Sequence, residues 1–330
     1  MEMQGPRLSV ITAVRNLIDA GRADMIRRNI ESVKNQRIAG GIEHIIADGK
    51  STDGTLDLLS GYVTGSGADC ESSGYCFRLV SKKDSQVFEG MNNGLAEARG
   101  KYVVFVNSDD RFCGTKDLAK SLDLFDSENA DVGYADTYLE RPGKKHRRRH
   151  HSDINKLPFG DHFIHQSMVV RTQVMREFGG YDLSQKGTCL ENDLTMRLLK
   201  AGRKFSRSPY CFCIYSLDGM TGRGTGQRSQ HPDIFLKYYG ADLGLTLDEC
   251  IGLRYFVGIS YWSESKCRQV LHKLERHPEW AELWRRQIEL HFKNGERVLP
   301  PAWHRLKLRW EEFGFEGIVE SLKRRVARWL

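Results

Sequence analysis

At 330 residues, 40% of them hydrophobic, the chain can bury a large α/β core plus a smaller appendage, which excludes wholesale disorder. The formal net charge of +7, from 50 basic and 43 acidic residues, is modest for this length, so the placement of charge says more than its sum. No apolar run approaches the roughly 18 residues a membrane-spanning helix needs, and Met1 to Arg7 holds no apolar stretch that would read as an export signal.

The predicted elements begin with LSVITAV, Leu8 to Val14, a short apolar run rich in β-branched residues that reads as a buried parallel strand. Met25, Ile26, Ile30 and Val33 then recur at helical spacing over about Ala23 to Gln36. IEHIIA, Ile42 to Ala47, is a second strand ending at Asp48, and Asp53-Gly54-Thr55 opens a second helix. A third strand is expected over Phe77 to Ser81, followed by a helix with Met91, Leu95 and Ala98 on one face and Gly100 as its stop. YVVFV, Tyr102 to Val106, is a fourth strand running into Asn107-Ser108-Asp109-Asp110. Strands alternating with helices imply βαβ units and a mostly parallel, Rossmann-like sheet flanked by helices.

Beyond Asp110 the pattern loosens. Val132 to Leu139 and Met168 to Arg171 are strand-like, and Leu194 to Ala201 is helical. Past about His231 the composition turns to Trp, Arg, Leu and Glu, the mark of a helical C-terminal region. The expected division is a catalytic domain over 1–230, made of a nucleotide-binding half (1–110) and an acceptor-binding half (111–230), followed by the helical region 231–330. The eight cysteines contain no zinc-type pair and are expected as reduced thiols of a cytoplasmic protein.

Ligands of open α/β sheets bind at the carboxyl ends of the strands. Three polar groups fall there: Arg15 and Asn16 after the first strand, Asp48 in ADGKSTDGT, and the cluster NSDD after the fourth. Hard cations such as Mg²⁺ or Mn²⁺ take carboxylate oxygens while keeping positions for substrate phosphates, which suits NSDD. The plain alternative for both acidic motifs is turn and helix-cap chemistry. That alternative accounts for Ser51 and Asp53 but not for Asp48, whose carboxylate could accept a nucleobase imide N–H.

The order LSVITAVRN, IEHIIADGKSTDGT, DSQVFEGMNNGLAEARGKYVVFVNSDD, HQ and ENDLTMRLLKAG resembles the family 2 glycosyltransferases over roughly residues 7 to 220. Within them it looks like the bacterial enzymes that build polysaccharides and glycolipids. The resemblance implies the GT-A fold and inverting, metal-dependent transfer of a sugar from a nucleotide-sugar, a UDP-sugar by preference, to a hydroxyl of a glycan or lipid-linked acceptor. By the same resemblance Asp48 binds the nucleobase, with the backbone around Thr12, Ala13 and Val14 packing beside it. Met91, Asn92 and Gly94 line the donor pocket, Asn16 belongs to it, and Asn107 and Ser108 reach donor hydroxyls. Asp109 is the metal ligand, His165 and Gln166 lie on the acceptor side, and Glu191 takes the position of the catalytic base with Asp193 as its rival. Glu89-Gly90 stands where Asp-Ala is common, and Gln86 where Gly is common.

The stretch Lys144 to His151, KKHRRRHH, reads either as a solvated hairpin loop or as a clamp for a phosphorylated acceptor. Nucleic acid ranks below both, because the cluster lacks interleaved aromatics. Phe315, Ile318, Val319, Leu322, Val326 and Trp329 recur at helical spacing among basic residues. That pattern fits a basic amphipathic helix resting on an anionic membrane face or packed on the catalytic domain. Gly219 to Gly222 is expected either to close over the donor or to be a plain turn. A nucleotidyltransferase and a non-enzymatic binder of anionic polymers or lipids are the competing functions; the former lacks its Gly-rich loop after the first strand.

Overall fold

The computed structural model describes residues 5–63, 74–141, 147–149, 153–160, 164–185, 189–217 and 230–294. It forms two compact units, Met1–His151 with Phe163–Gln227, and Ser152–His162 with Arg228–Leu330.

The first unit is built on a nine-stranded sheet of order β3-β2-β1-β4-β8-β6-β9-β5, with β7 pairing β6. Its parallel half holds β1 (Leu8–Val14), β2 (Ile42–Asp48), β3 (Tyr75–Ser81) and β4 (Tyr102–Phe105). These are the four strands the apolar runs predict. β1 and β2 are buried almost throughout, as the burial of both faces of a parallel sheet requires. One face is covered by the helix Ala23–Lys34, whose Ile26 and Ile30 pack with Val14, Ile46 and Phe77. The other carries the helix Val87–Glu97, where a Cβ on Gly94 would come within 2.5 Å of the Ile11 side chain.

The other half is mixed. β8 (Met168–Arg171) runs antiparallel to β4, and β6 (Val132–Glu140) antiparallel to β8. β9 (Phe205–Ser216) is parallel to β6 and antiparallel to β5 (Arg111–Phe112). Because β8 reverses, the short turn His165–Ser167 before it sits at the carboxyl end of β4. A helix over Asp117–Ser127 closes this half with Leu118, Leu122 and Phe125 in the core, where the sequence analysis assigned no element. The strand Arg147–Arg149 is β7, antiparallel to β6 and part of the basic stretch; the rest of that stretch lies outside the described residues, as does Gly219 to Gly222.

The lower end of the sheet is tied by one carboxylate. Glu43 on β2 accepts from Ser9 Oγ at 2.6 Å, from the Gly100 amide at 3.1 Å and from the Arg99 amide, and pairs with Arg78 at 3.0 Å. A Cβ on Gly100 would fall 2.5 Å from the Ser9 nitrogen, so that glycine serves a close approach rather than a helix stop.

The second unit is helical, with helices His231–Phe235, Leu247–Leu253, Glu264–Leu274 and Pro278–Phe292. Phe159 stacks on Phe256 at 4.4 Å and lies parallel to Trp284 at 6.2 Å, and the buried Glu249 pairs with Lys266 and Lys273. No helix among the described residues is long and apolar enough to cross a membrane. The predicted basic amphipathic helix from Phe315 onward lies outside the described residues. Cys113, Cys189, Cys211, Cys213, Cys250 and Cys267 are free thiols, but Cys76 is disulfide-bonded, which corrects the expectation that every thiol is reduced.

Glu43→Ala should lower the unfolding free energy by about 3 kcal/mol, because it leaves Arg78 short of its buried partner and the Arg99 amide without an acceptor. Denaturant titration checks this; a change below about 1 kcal/mol would mean the network is not what ties the strands.

Candidate active site

The polar residues of the first unit converge at the carboxyl ends of β1, β2 and β4. The loops there are laced together by the motif STDGT. Ser51 Oγ accepts from the Asn16 amide at 2.8 Å, the Thr52 amide donates to Asn16 Oδ1 at 3.0 Å, and Thr55 Oγ1 accepts from the Leu17 amide at 2.8 Å. Asp53 accepts from the Asp19 amide at 2.8 Å and caps Thr55. Asn16 and Lys50 hold positive φ angles of 48° and 61°, a strained backbone that turns both loops over the strand ends. The turn-and-cap reading of STDGT therefore holds for Ser51, Asp53 and Thr55.

Asp48, 1% exposed, is drawn into the same lacing. Its carboxylate accepts from the Ser51 amide at 3.2 Å, from Ser51 Oγ and from Ser81 Oγ at 2.7 Å. A carboxylate offers about four lone-pair positions, so roughly one is left for a ligand. Ala13 and Val14 lie at the end of β1 beside it, paired with Ala47 and Asp48.

Three residues expected to face the donor are engaged inside the protein. Thr12 Oγ1 bonds His44 Nε2 at 3.0 Å. Met91 is 1% exposed. Asn92 clamps the Tyr181 backbone, donating to its carbonyl at 2.8 Å and accepting from its amide at 2.9 Å. The Thr12 and Asn92 side chains are thus engaged within the protein and Met91 is buried. Glu89, at the departure from the family pattern, accepts from the Ser85 amide and hydroxyl at 2.7 Å and caps its helix.

At the end of β4 the two aspartates divide. Asp110 is 1% exposed; its Oδ2 accepts from Gln166 Nε2 at 2.6 Å and its Oδ1 from the Ser216 amide at 2.8 Å. Burial and the neighbouring Asp109 push its pKa well above the usual carboxylate range. Asn29 Nδ2 donates to the carbonyls of Asn107 and Asp110 at 3.0 Å, so the turn is also held from the helix Ala23–Lys34. Ser108 is buried, whereas Asn107 and Asp109 are half-buried. Gln166, expected on the acceptor side, holds Asp110. His165 is half-buried with its Nε2 enclosed and lacking a hydrogen-bond partner, and burial pulls its pKa down to about 4, so the ring is neutral.

Glu191 and Asp193 share the first turn of the helix Leu190–Lys200 and differ sharply. Asp193 is buried and pairs with Arg197 Nε at 2.9 Å, while the same guanidinium donates to the carbonyls of Phe178 and Gly180 at 2.7 Å. Glu191 Oε2 is enclosed with no hydrogen-bond partner, and burial pushes the pKa up to about 7. Its charge also reaches the buried hydroxyl of Tyr181, whose ring lies 5.1 Å from that of Phe105, the last residue of β4. Glu191 is thus placed at the same end of the sheet as Asp109.

A metal held here would be held sparingly. No group of three His, Cys, Asp or Glu side chains suited to a metal occurs among the described residues. Mg²⁺ commonly takes one or two protein carboxylates and completes its shell from substrate phosphates and water, and the half-buried Asp109 beside an already satisfied Asp110 fits that arrangement.

Residues 9–180, more than half of the chain, match the family model described as "Glycosyl transferase family 2"; the match ends before Glu191. An uncharacterized glycosyltransferase of Mycobacterium tuberculosis is 30% identical over 181 residues, 54% of this chain and 63% of the relative. The chain thus spans less than two thirds of the mycobacterial relatives it matches. An Escherichia coli UDP-Glc:alpha-D-GlcNAc-diphosphoundecaprenol beta-1,3-glucosyltransferase is 28% identical over 134 residues, 41% of this chain and 47% of the relative. Among solved structures, residues 1–349 of Staphylococcus aureus TarS in complex with UDP-GlcNAc superpose with a TM-score of 0.54 at 15% identity, covering 88% of this chain and 92% of that fragment. A mannosyltransferase of Pyrobaculum calidifontis in complex with GDP-Man and Mn²⁺ gives 0.50 at 15% identity, covering 99% and 81%.

Gln166→Leu should lower the unfolding free energy by about 1–3 kcal/mol, since it strips a donor from a buried carboxylate. Asp109→Ala should leave stability unchanged or raised, because it removes the like charge beside Asp110. Thermal and denaturant unfolding of the two variants checks the division; the reverse order would contradict it.

Proposed function

The chain belongs to glycosyl transferase family 2 and has the GT-A fold, and from that premise we propose an inverting, metal-dependent transfer of a sugar from a nucleoside diphosphate sugar to an acceptor hydroxyl. Family membership sets aside the nucleotidyltransferase and the non-enzymatic binder. The observation that carries the mechanism is the contrast between Glu191 and Asp193.

An inverting displacement needs one base to take the proton from the acceptor hydroxyl as it attacks the anomeric carbon. A useful base has a pKa near the working pH, and burial brings Glu191 to about 7. Its enclosed oxygen lacks a protein donor, so an acceptor hydroxyl would supply the missing one. Asp193 is held by Arg197 and shapes the helix start and the Phe178–Gly180 turn. A divalent ion, Mg²⁺ or Mn²⁺, held by Asp109 and by the donor's diphosphate, would neutralise the charge that develops on the leaving group. Asp110, Gln166 and Asn29 fix the turn that presents Asp109. On the nucleoside side, the free position of Asp48 would accept an imide N–H between the ends of β1 and β3.

A UDP-sugar is the first donor to test, in keeping with the UDP-Glc named for the Escherichia coli relative and the UDP-GlcNAc bound by TarS. That relative's diphosphoundecaprenol substrate supports a lipid-linked or glycan acceptor for this chain. Such an acceptor would bring the chain to the cytoplasmic face of a membrane, where its basic stretches would meet anionic headgroups.

The test is nucleoside diphosphate release together with donor affinity. Glu191→Gln should cut turnover about 10²–10⁴-fold with donor binding nearly intact, because the base touches the acceptor and not the nucleotide. Asp193→Asn should retain turnover per folded molecule while losing thermal stability. Asp109→Ala should abolish Mg²⁺- or Mn²⁺-dependent release. If Asp193→Asn loses turnover while Glu191→Gln keeps it, the assignment of the base is reversed.

A further inference from the structure

The end of the sheet opposite the candidate active site carries a cavity of about 590 Å³, lined by residues that precede β4 and follow β8. The two segments meet there because β8 runs antiparallel to β4. Arg171 stands across from Tyr102, and the Thr172 amide donates to the Lys101 carbonyl at 3.0 Å. Asp109 lies beyond the last residue of β4, whereas this cavity lies beside its first.

Its lining carries positive charge that the protein does not neutralise. Arg171 donates through Nε to the Ala130 carbonyl at 2.7 Å and through Nη2 to Asn129 Oδ1 at 2.8 Å. Arg176 donates through Nη2 to the Ala98 carbonyl, with the Leu95 carbonyl at 3.4 Å. These acceptors are neutral, and no described carboxylate pairs with either guanidinium. The third cation, Lys101, pairs with Asp126, which Arg7 and the Tyr102 hydroxyl also share. The carboxylate of the lining, Glu177, pairs with Arg203 at 2.7 Å. Each guanidinium is therefore fixed in place with N–H donors to spare, Nη1 of Arg171 and both Nε and Nη1 of Arg176. A hydroxyl adds to them. Thr172 is 4% exposed, and its Oγ1 has no hydrogen-bond partner, a costly state that a bound acceptor relieves. Fixed, planar guanidinium forks match the oxygens of a phosphate group, which offers enough acceptors for two forks and a hydroxyl together. A bare phosphate would leave most of the cavity empty, since its volume is that of a site for a small organic ligand.

We propose that this cavity is a second ligand site of the chain, in which Arg171, Arg176 and the Thr172 hydroxyl hold the phosphate group of a small phosphomonoester while Lys101 adds a third positive charge. The site is separate from glycosyl transfer, because none of its residues belongs to the donor, metal or base positions at the other end of β4. A free phosphate ester and the headgroup of a phospholipid present the same group, and the test separates the two sources.

The experiment is calorimetric titration of the whole chain with glycerol phosphate in the presence of EDTA, so that no metal draws the probe to Asp109. Arg171→Gln and Arg176→Gln should each weaken binding about 10- to 100-fold, the loss of a hydrogen bond between charged groups. Thr172→Val should weaken it about 2- to 10-fold and leave the unliganded protein as stable as before or more so, which the loss of a hydroxyl with a structural partner would not do. Asp109→Ala should bind the ester as the unaltered chain does, and so should Lys120→Gln, which removes a positive charge outside the cavity. Thermal unfolding establishes that each variant folds, and the exposed Arg176 keeps the test open if Arg171→Gln does not. The second arm is sedimentation with phosphatidylcholine vesicles that carry phosphatidic acid. Binding to these vesicles without binding of the free ester, abolished by Arg176→Gln, would assign the site to a lipid headgroup. No binding of the ester, together with vesicle binding that is absent or that Arg176→Gln leaves unchanged, would overturn the inference. So would ester binding that Lys120→Gln weakens as much as Arg176→Gln does, or that Asp109→Ala removes and Arg176→Gln spares.

Discussion

A carboxylate removed from water must find hydrogen-bond donors or remain costly, and this constraint organises the first unit. Asp48 takes donors from Ser51 and Ser81, Asp110 from Gln166 and Ser216, and Asp193 from Arg197. Asp48 and Asp110 in this way bind together segments far apart in the chain, and Asp193 fixes the start of its own helix. Glu191 Oε2 is enclosed without such a donor. The satisfied carboxylates hold the structure, and the unsatisfied one is left for the acceptor hydroxyl proposed above.

The two sets depend on one another. Glu191 shares a helical turn with Asp193, whose ion pair holds Arg197 against the Phe178 and Gly180 carbonyls and so secures that helix start. Tyr181, held through its backbone by Asn92, continues that path to the end of β4 through its contact with Phe105. At the ends of β1 and β2 the lacing of Asn16, Ser51 and Thr52 sets the strained loops. A base held on a rigid element, as proposed for Glu191, is pre-organised, which is the condition for a small side chain to act with large effect.

Much of this was legible in the residues. The four parallel strands follow from short β-branched runs that each stop at a polar residue, whereas their order in the sheet comes from the fold. The helix Asp117–Ser127 was missed although Leu118, Leu122 and Phe125 carry its period, because short polar interruptions hide a single turn-by-turn face. The pairing of Asp193 with Arg197 was available as an i,i+4 spacing and would have separated the two candidate bases. The engagement of Asn92, Met91 and Thr12 was not readable, because a motif shows which residue stands at a position and not which partner it has already found.

The central claim is that the fold raises one carboxylate to work as a base at neutral pH. A carboxyl-carbon NMR titration of the chain labelled at glutamate, with the Glu191 signal assigned through Glu191→Gln, measures it without relying on substrate. The account predicts a midpoint near 7, with the carboxylate charged and able to take a proton only above it. A midpoint at the ordinary value of 4.5 would show that Glu191 is not buried in the manner described and would contradict the account.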